Sequence, residues 1–295
     1  MYQYLIQALG VPAAHIRLLL SEAPSFGNPC FSRATRENVL SSLIGHLRDN
    51  PDVRRDDNIL FYFAGRGARY SLEGTFPDAE DTLDALCPAD RGCPSADGPV
   101  LDISDRELSI FLEELRDAKG NSVTVIIDAS YLVDTVQARE AHQNVRSAPP
   151  LNVPVDRILR AVDSDTRRKA GSKKVFSADW DWDERACMLL TSCLLHEVAR
   201  ETRPSAQDRW HGCFTRALIC MLRSGEELTY AGLGEAVSEY MPRVGERCVQ
   251  NPMVIGAREG ELVWYALAKQ TSLEVSTPTR PFRVGHALFP CCCIF

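Results

Sequence analysis

The sequence predicts an α/β domain built on a mainly parallel sheet with helices on both faces. Three observations predict it. Short apolar runs stand at 58–64 (NILFYFA), 123–128 (VTVIID) and 186–193 (ACMLLTSC), brief and unbroken as strands buried on both faces are. Segments between them place apolar residues at helical spacing. The first two runs also end in short polar or glycine-rich stretches, where open α/β sheets carry their functional groups.

Taken in order, residues 1–20 read as a short helix and its exit. Thr35 is a candidate N-cap for an amphipathic helix with Leu40, Leu43, Ile44 and Leu47 on one face, ending near Asn50 and Pro51. After the strand at 58–64, residues 66–100 are rich in Gly, Pro and Asp and predict a loop or small hairpin. Ser104 and Glu107 form a capping box before a helix lined by Leu108, Phe111, Leu112 and Leu115. The strand at 123–128 follows. Residues 141–183, with Pro149, Pro150, Pro154 and the run DSDTRRKAGSKK, predict a partly flexible basic linker. Beyond the strand at 186–193 come helices near 212–222 and 231–240 and a last strand at Leu262 to Leu267.

The totals bound the function. With 295 residues, 45% hydrophobic and 25% charged, the chain suits one large domain or a two-lobed one. A net charge of −7 gives no electrostatic footprint for nucleic acid. No run approaches the roughly 18 apolar residues of a membrane span, and the first residues do not read as a secretion signal. Of the 11 cysteines, Cys187, Cys193, Cys213 and Cys220 sit in apolar runs as small hydrophobes, and none forms a zinc half-site. A reduced, cytoplasmic chain is expected.

The two strand ends, FYFAGRG at 61–67 and VIIDASYLV at 125–133, resemble the signature blocks of the caspase and metacaspase superfamily, especially its fungal metacaspase-like branch. ALCPAD at 85–90, LDISDREL at 101–108, MLLTSCLLHEVARE at 188–201, HGCFTRALI at 211–219 and QNPMVIG at 250–256 follow in the family's order. The resemblance implies a caspase-like three-layer sandwich. It also implies a large-subunit-like half at 1–140, a linker at 141–183, a small-subunit-like half at 184–268 and a tail at 269–295. The family's first strand is missing, which leaves an exposed sheet edge.

The departures bear on chemistry. The family's histidine position holds Arg66 and its cysteine position holds Ser130. A guanidinium keeps its proton at any accessible pH and is no base. A serine hydroxyl without an activating neighbour is a poor nucleophile. His142, His196 and His211 lie away from the expected site. Gly67 and Ser130 match the family's two oxyanion-hole amides, and Asp128 matches an acidic residue that faces a basic substrate side chain. A surviving pocket for Lys or Arg is one reading of Asp128; an ion pair with Arg66 across adjacent strand ends is the favoured one. The resemblance thus implies a catalytically inactive, peptide-binding, regulatory or scaffold protein whose partner is a peptide or protein, such as an active caspase-like relative. The alternatives are an active cysteine-type endopeptidase with Arg/Lys preference and a degenerate fragment.

Asp78, Glu80, Asp81 and Asp84 resemble the calcium-responsive loops of metacaspases, but their spacing fits no compact calcium loop; a solvated acidic loop without a cofactor is expected. The end Cys291-Cys292-Cys293-Ile294-Phe295 fits the prenylation pattern, with Cys292 as acceptor and Cys291 as a palmitoyl site. Only so modified would the chain meet a membrane. Cys293 is an unusual occupant of the second position, and an ordinary apolar end is the favoured reading.

Overall fold

The computed structural model describes residues 1–22, 30–76, 82–132, 144–203, 210–245, 248, 250–263 and 291–294, the last as backbone. The chain opens with α1 (Tyr2–Gln7) and β1 (Ile16–Leu20), then β2 (Ser32–Arg33) and α2 (Arg36–Ser41), which continues as a π-helical stretch over Ser42–Arg48. Next come β3 (Ile59–Ala64), β4 (Gly67–Ser71), β5 (Thr82–Leu86), a tiny hairpin of β6 (Pro94–Ser95) and β7 (Gly98–Pro99), and β8 (Ile103–Ser104). Helix α3 (Asp105–Lys119), β9 (Val123–Asp128), α4 (Val155–Asp163) and β10 (Met188–Thr191) follow. The remainder is β11 (Glu201–Thr202), β12 (His211–Gly212), α5 (Cys213–Ser224), α6 (Tyr230–Val244), β13 (Met253–Ile255) and β14 (Cys291–Ile294).

The main sheet has the order β13-β10-β9-β3-β14-β1-β2, parallel except where β13 joins β10. Its period of two sorts the apolar runs onto two faces. Leu60, Tyr62, Ile126, Met188 and Leu190 pack with α1, α5 and α6. Ile59, Phe61, Phe63, Val123, Val125 and Ile127 pack with the α2 segment and α3. These three layers are the predicted sandwich. Strands β3 and β9 pair from Ile59↔Val123 to Ala64↔Asp128, so both signature blocks leave the sheet at one edge.

The start signals work as the residues require. Thr35 accepts from the Asn38 amide at 3.3 Å and Ser104 from the Glu107 amide at 3.1 Å. The Glu107 carboxylate, however, takes a bidentate pair from Arg36, at 2.6 and 2.8 Å, across to α2. Burial raises the Glu107 pKa, and Arg36 opposes that shift.

Several expectations are corrected. The expected short helix is Tyr2–Gln7, but the residues after it do more than lead out: a 3-10 turn at Ala13–His15 gives way to β1, whose apolar residues pair into the sheet. The small hairpin expected in residues 66–100 is larger than that: β4 and β5 pair antiparallel, β8 just beyond extends them to three strands, and Ala68, Tyr70, Leu83 and Ala85 pack on Ile158, Leu159 and Val162 of α4. That helix lies in the stretch expected to be a flexible linker. There, Arg167 pairs with Glu37 and Asp165, both within 2.8 Å, and Arg168 with Asp163 at 2.8 Å. The expected gap at the first strand is filled by β14, which pairs in parallel with both β1 and β3 and satisfies backbone groups that would otherwise stay bare.

Among the described residues the main sheet ends in β13 on one side and β2 on the other; the strand expected at Leu262 to Leu267 lies outside them from residue 264, and Leu262 makes a single bridge to Thr229. Asp78, Glu80 and Asp81 also lie outside them, and Asp84 is ion-paired to Arg69 at 2.6 Å. Cys213 and Cys248 form a disulfide, because the start of α5 and the chain after α6 bring their Cα atoms to 5.6 Å; the expectation of an all-thiol chain fails for this pair. No helix among the described residues is long and apolar enough to cross a membrane.

Candidate functional site

The site forms where β3 and β9 end. Ala64 is the last residue of β3, and Gly65 donates to the Asp128 carbonyl at 3.3 Å, tying the two strand ends together. Arg66 lies in the turn that follows, with its side chain exposed. Ser130 is 1% exposed, and its Oγ has no hydrogen-bond partner among the described residues. Gly67 packs so closely that a Cβ there would stand 2.7 Å from the Ser130 carbonyl and 2.5 Å from the Tyr131 ring.

The amides of Gly67 and Ser130 converge. Both donate to one oxygen, the carbonyl of Arg146, at 3.3 and 2.9 Å. Around that contact, residues 144–148 run as a strip across the site, bridged to it at Val145 and Ser147, with a turn in the backbone at Asn144, whose φ is 91°. The Arg146 amide donates to the Ala199 carbonyl at 2.9 Å, the Glu201 amide to the Asn144 carbonyl at 2.8 Å, and the Ala148 amide to the Gly67 carbonyl at 2.7 Å. Main-chain bonds on both sides are how an extended peptide adds itself to a groove.

The Arg146 side chain turns inward. Its guanidinium donates to the Asp128 carbonyl at 3.1 Å, lies 3.6 Å from the Asp128 carboxylate and reaches Glu201 at 3.2 Å. Asp128 is fully buried. Its Oδ2 accepts from the Thr215 amide at 3.3 Å and from the Thr215 hydroxyl, which also bonds the Tyr62 hydroxyl at 2.7 Å. These donors sit in the first turn of α5, where the helix dipole favours an anion. Gly212 makes the approach possible, since a Cβ there would stand 1.9 Å from Asp128 Oδ2. Burial works against the charge on Arg146, but Asp128, then Tyr62 and Glu201, hold its pKa above the ordinary guanidine value.

The expected Asp128–Arg66 pair is not formed. Asp128 shares a sheet face with Ile126 and Tyr62, and so points under α5. Arg66 lies beyond the strand and makes no ion pair with any described residue. Arg146, Glu201 and Thr215 were missed by sequence reasoning. Thr215 and Glu201 had a signal, inside the HGCFTRALI block and at the end of the MLLTSCLLHEVARE block; Arg146 had none.

Two thiols lie close to these strand ends. The Cys193 thiol is near, 4.0 Å from the Ala129 carbonyl, but burial pushes its pKa up to about 11. Cys87, whose amide donates to the Arg66 carbonyl at 2.9 Å, is raised to about 12, again chiefly by burial. Both stay neutral thiols near pH 7, and thiolates are what attack carbonyls. His211 is exposed in β12, and His142 lies outside the described residues.

Among solved structures, the chain is similar to protein GSU0716 from Geobacter sulfurreducens, at 19% identity over 76% of this chain and 74% of that one, with a TM-score of 0.45. No curated protein matches it. The family model described as the caspase domain matches residues 13–262. That span takes in both strand ends, the strip at 144–148 and the helix beneath Asp128, and the chain belongs to the caspase-domain family.

Proposed function

We propose that the protein is a catalytically inert caspase-like domain that binds an arginine-bearing extended peptide, and that its own residues 144–148 occupy the cleft as an internal ligand. The observation that carries this reading is the double placement of Arg146. Its carbonyl takes two amide hydrogen bonds while its guanidinium enters a pocket walled by Asp128 and Glu201. That is how a substrate residue sits before acyl transfer: carbonyl polarised by two donors, side chain recognised by opposite charge.

The next step is lacking. Attack on the Arg146 carbonyl needs an activated nucleophile and a proton acceptor. Ser130 Oγ has neither a base nor a hydrogen-bond partner among the described residues, and Arg66 cannot take a proton. What remains is recognition: an external peptide or protein segment bearing Arg, or less well Lys, competes for the same strip of backbone and the same two carboxylates.

The test is incubation of the purified protein with Arg- and Lys-based fluorogenic peptides, with and without calcium. No turnover is expected in either condition. Hydrolysis that disappears on Ser130→Ala would overturn the reading and restore a protease.

A further inference from the structure

The main sheet is completed in its middle by four residues from far away in sequence. Strand β14 lies between β1 and β3, with Cys292 opposite both Ile16 and Leu60, and Ile294 opposite both Leu18 and Tyr62. On each side the pairing is parallel. Without those residues, β1 and β3 would be two strand widths apart, roughly 9–10 Å. Each would then show a row of unpaired N–H and C=O groups inside the molecule.

We propose that the channel between β1 and β3 is a strand-acceptor site, filled within one molecule by residues 291–294 and open to the same segment of a second copy. The argument rests on the backbone alone. Hydrogen bonds on both flanks give an inserted strand its affinity whichever chain carries it, as in other cases of strand addition. Acceptor strands β1 and β3 belong to the body of the domain: Leu18 and Leu60 are buried with α1, α5 and α6, and Ile59 and Phe61 with α2 and α3. The last described residue before β14 is Val263, so residues 264–290 join the strand to the domain. At about 3.3 Å per residue, a stretch of that length can reach well over the width of a domain, to its own channel or a neighbour's. A second copy is the occupant of choice because its segment is identical and meets the same register on both sides. Exchange of one identical element between two molecules is a low-cost route to a dimer.

A consequence concerns the cysteines at 291–293. A segment paired on both flanks in the middle of a sheet cannot also sit in a membrane, so an inserted strand and a lipid on Cys292 exclude each other.

Two measurements test the proposal. The first removes residues 291–295 and adds back, under reducing conditions, a peptide of residues 290–295. The truncated chain is expected to melt at least 5 °C lower (~5 °C, the shift for about 2 kcal/mol in a chain of this size), and the peptide is expected to bind and restore the melt. The full-length chain, whose channel is filled, should bind that peptide at least tenfold more weakly. A truncated chain that melts like the full chain and ignores the peptide would overturn the proposal. Should the truncated chain fail to fold, amide hydrogen exchange on the full chain decides: residues 291–294 should be protected alongside Ile59–Tyr62. Fast exchange at 291–294 beside slow exchange in β3 would refute it. For the second copy, two differently tagged full-length samples, unfolded and refolded together at high concentration, should yield a mixed dimer that truncation of either partner reduces; none forming would confine the strand to its own molecule and overturn that part.

Discussion

Replacing Arg146 by alanine is the sharpest perturbation of the cleft. The side chain is 11% exposed and supplies a hydrogen bond to the Asp128 carbonyl, an ion pair to the fully buried Asp128 carboxylate and one to the one-third-exposed Glu201. Removing one partner of a buried pair typically costs about 3–5 kcal/mol, because the other charge is left uncompensated. Asp128 would keep its Thr215 donors and the first turn of α5, which together return roughly 1 kcal/mol. The Glu201 contact adds under about 1 kcal/mol, since one side of it meets solvent. The expected loss is therefore about 3 kcal/mol, a fall in melting temperature of about 6–10 °C.

Alanine at this position also empties the pocket and leaves the strip held by its main-chain bonds alone, so that it yields the groove more readily. The tether holds the internal ligand at an effective concentration of order millimolar. A peptide copying residues 144–148 should thus bind Arg146→Ala at least tenfold more tightly than the unaltered protein, by fluorescence anisotropy. The double-mutant cycle with Asp128→Asn should show a coupling above about 1 kcal/mol, where unconnected sites add to within about 0.5. Additive losses, or equal peptide affinity for both proteins, would refute an internal ligand held by charge.

Three further outcomes follow from the same geometry. Restoring the family's dyad with Arg66→His and Ser130→Cys should make the protein cut itself between Arg146 and Ser147, seen by intact mass as fragments 1–146 and 147–295; an uncut double variant with an unchanged melt would argue against the substrate-like pose of that bond. Burial, with Asp84 nearby, raises the Asp105 pKa from 3.8 to about 7, so the folded state holds a proton that the unfolded state has released, and stability falls as pH rises between those values. Asp105→Asn should flatten that decline in chemical-denaturation curves; an unchanged slope would exclude Asp105 as its source. Opening the Cys213–Cys248 bond, which spans a sequence separation of 35, should cost about 3–4 kcal/mol on chain-entropy grounds, and the Cys213→Ser, Cys248→Ser pair should melt like the reduced protein. A melting temperature insensitive to reductant would deny the disulfide any such role.

The sandwich was legible because its signals are local and repeated. Beyond one polar end residue each, NILFYFA and VTVIID are apolar on both faces apart from the buried Thr124, whose hydroxyl bonds Tyr230, and Ser104 caps α3 by its own side chain. Arg146 was not legible. The strip at 144–148 is held by main-chain bonds, which leave no periodic trace in side chains, and it stands among prolines that read as linker. The Asp128–Arg66 pair failed on parity. Neighbouring strand ends suggested proximity, but alternation turns Asp128 to the α5 face while Arg66 lies past the end of β3. Strand β14 was hidden for a different reason: its partners in β1 and β3 are more than two hundred residues away, and no local pattern encodes pairing at such separation.

On the proposed reading, the substitutions at the dyad positions and the filled cleft are physically linked through what the cleft would be when empty. Two amides aimed at one point and a buried carboxylate are an asset only while something answers them; left bare, each buried donor and the Asp128 charge would cost free energy. Arg146 answers all of them with one residue, the carbonyl for the amides and the guanidinium for the acid. In a member with a working thiolate and imidazole, a bond so placed would be a substrate and the internal ligand would be consumed. If, as proposed, Arg66 and Ser130 in those positions leave the ligand uncut, an outside partner would gain access by exchange for Arg146 rather than by entering a vacant groove. Affinity for such a partner should therefore track how firmly residues 144–148 are held, and any change that loosens the strip without touching Asp128 or Glu201 should tighten external binding.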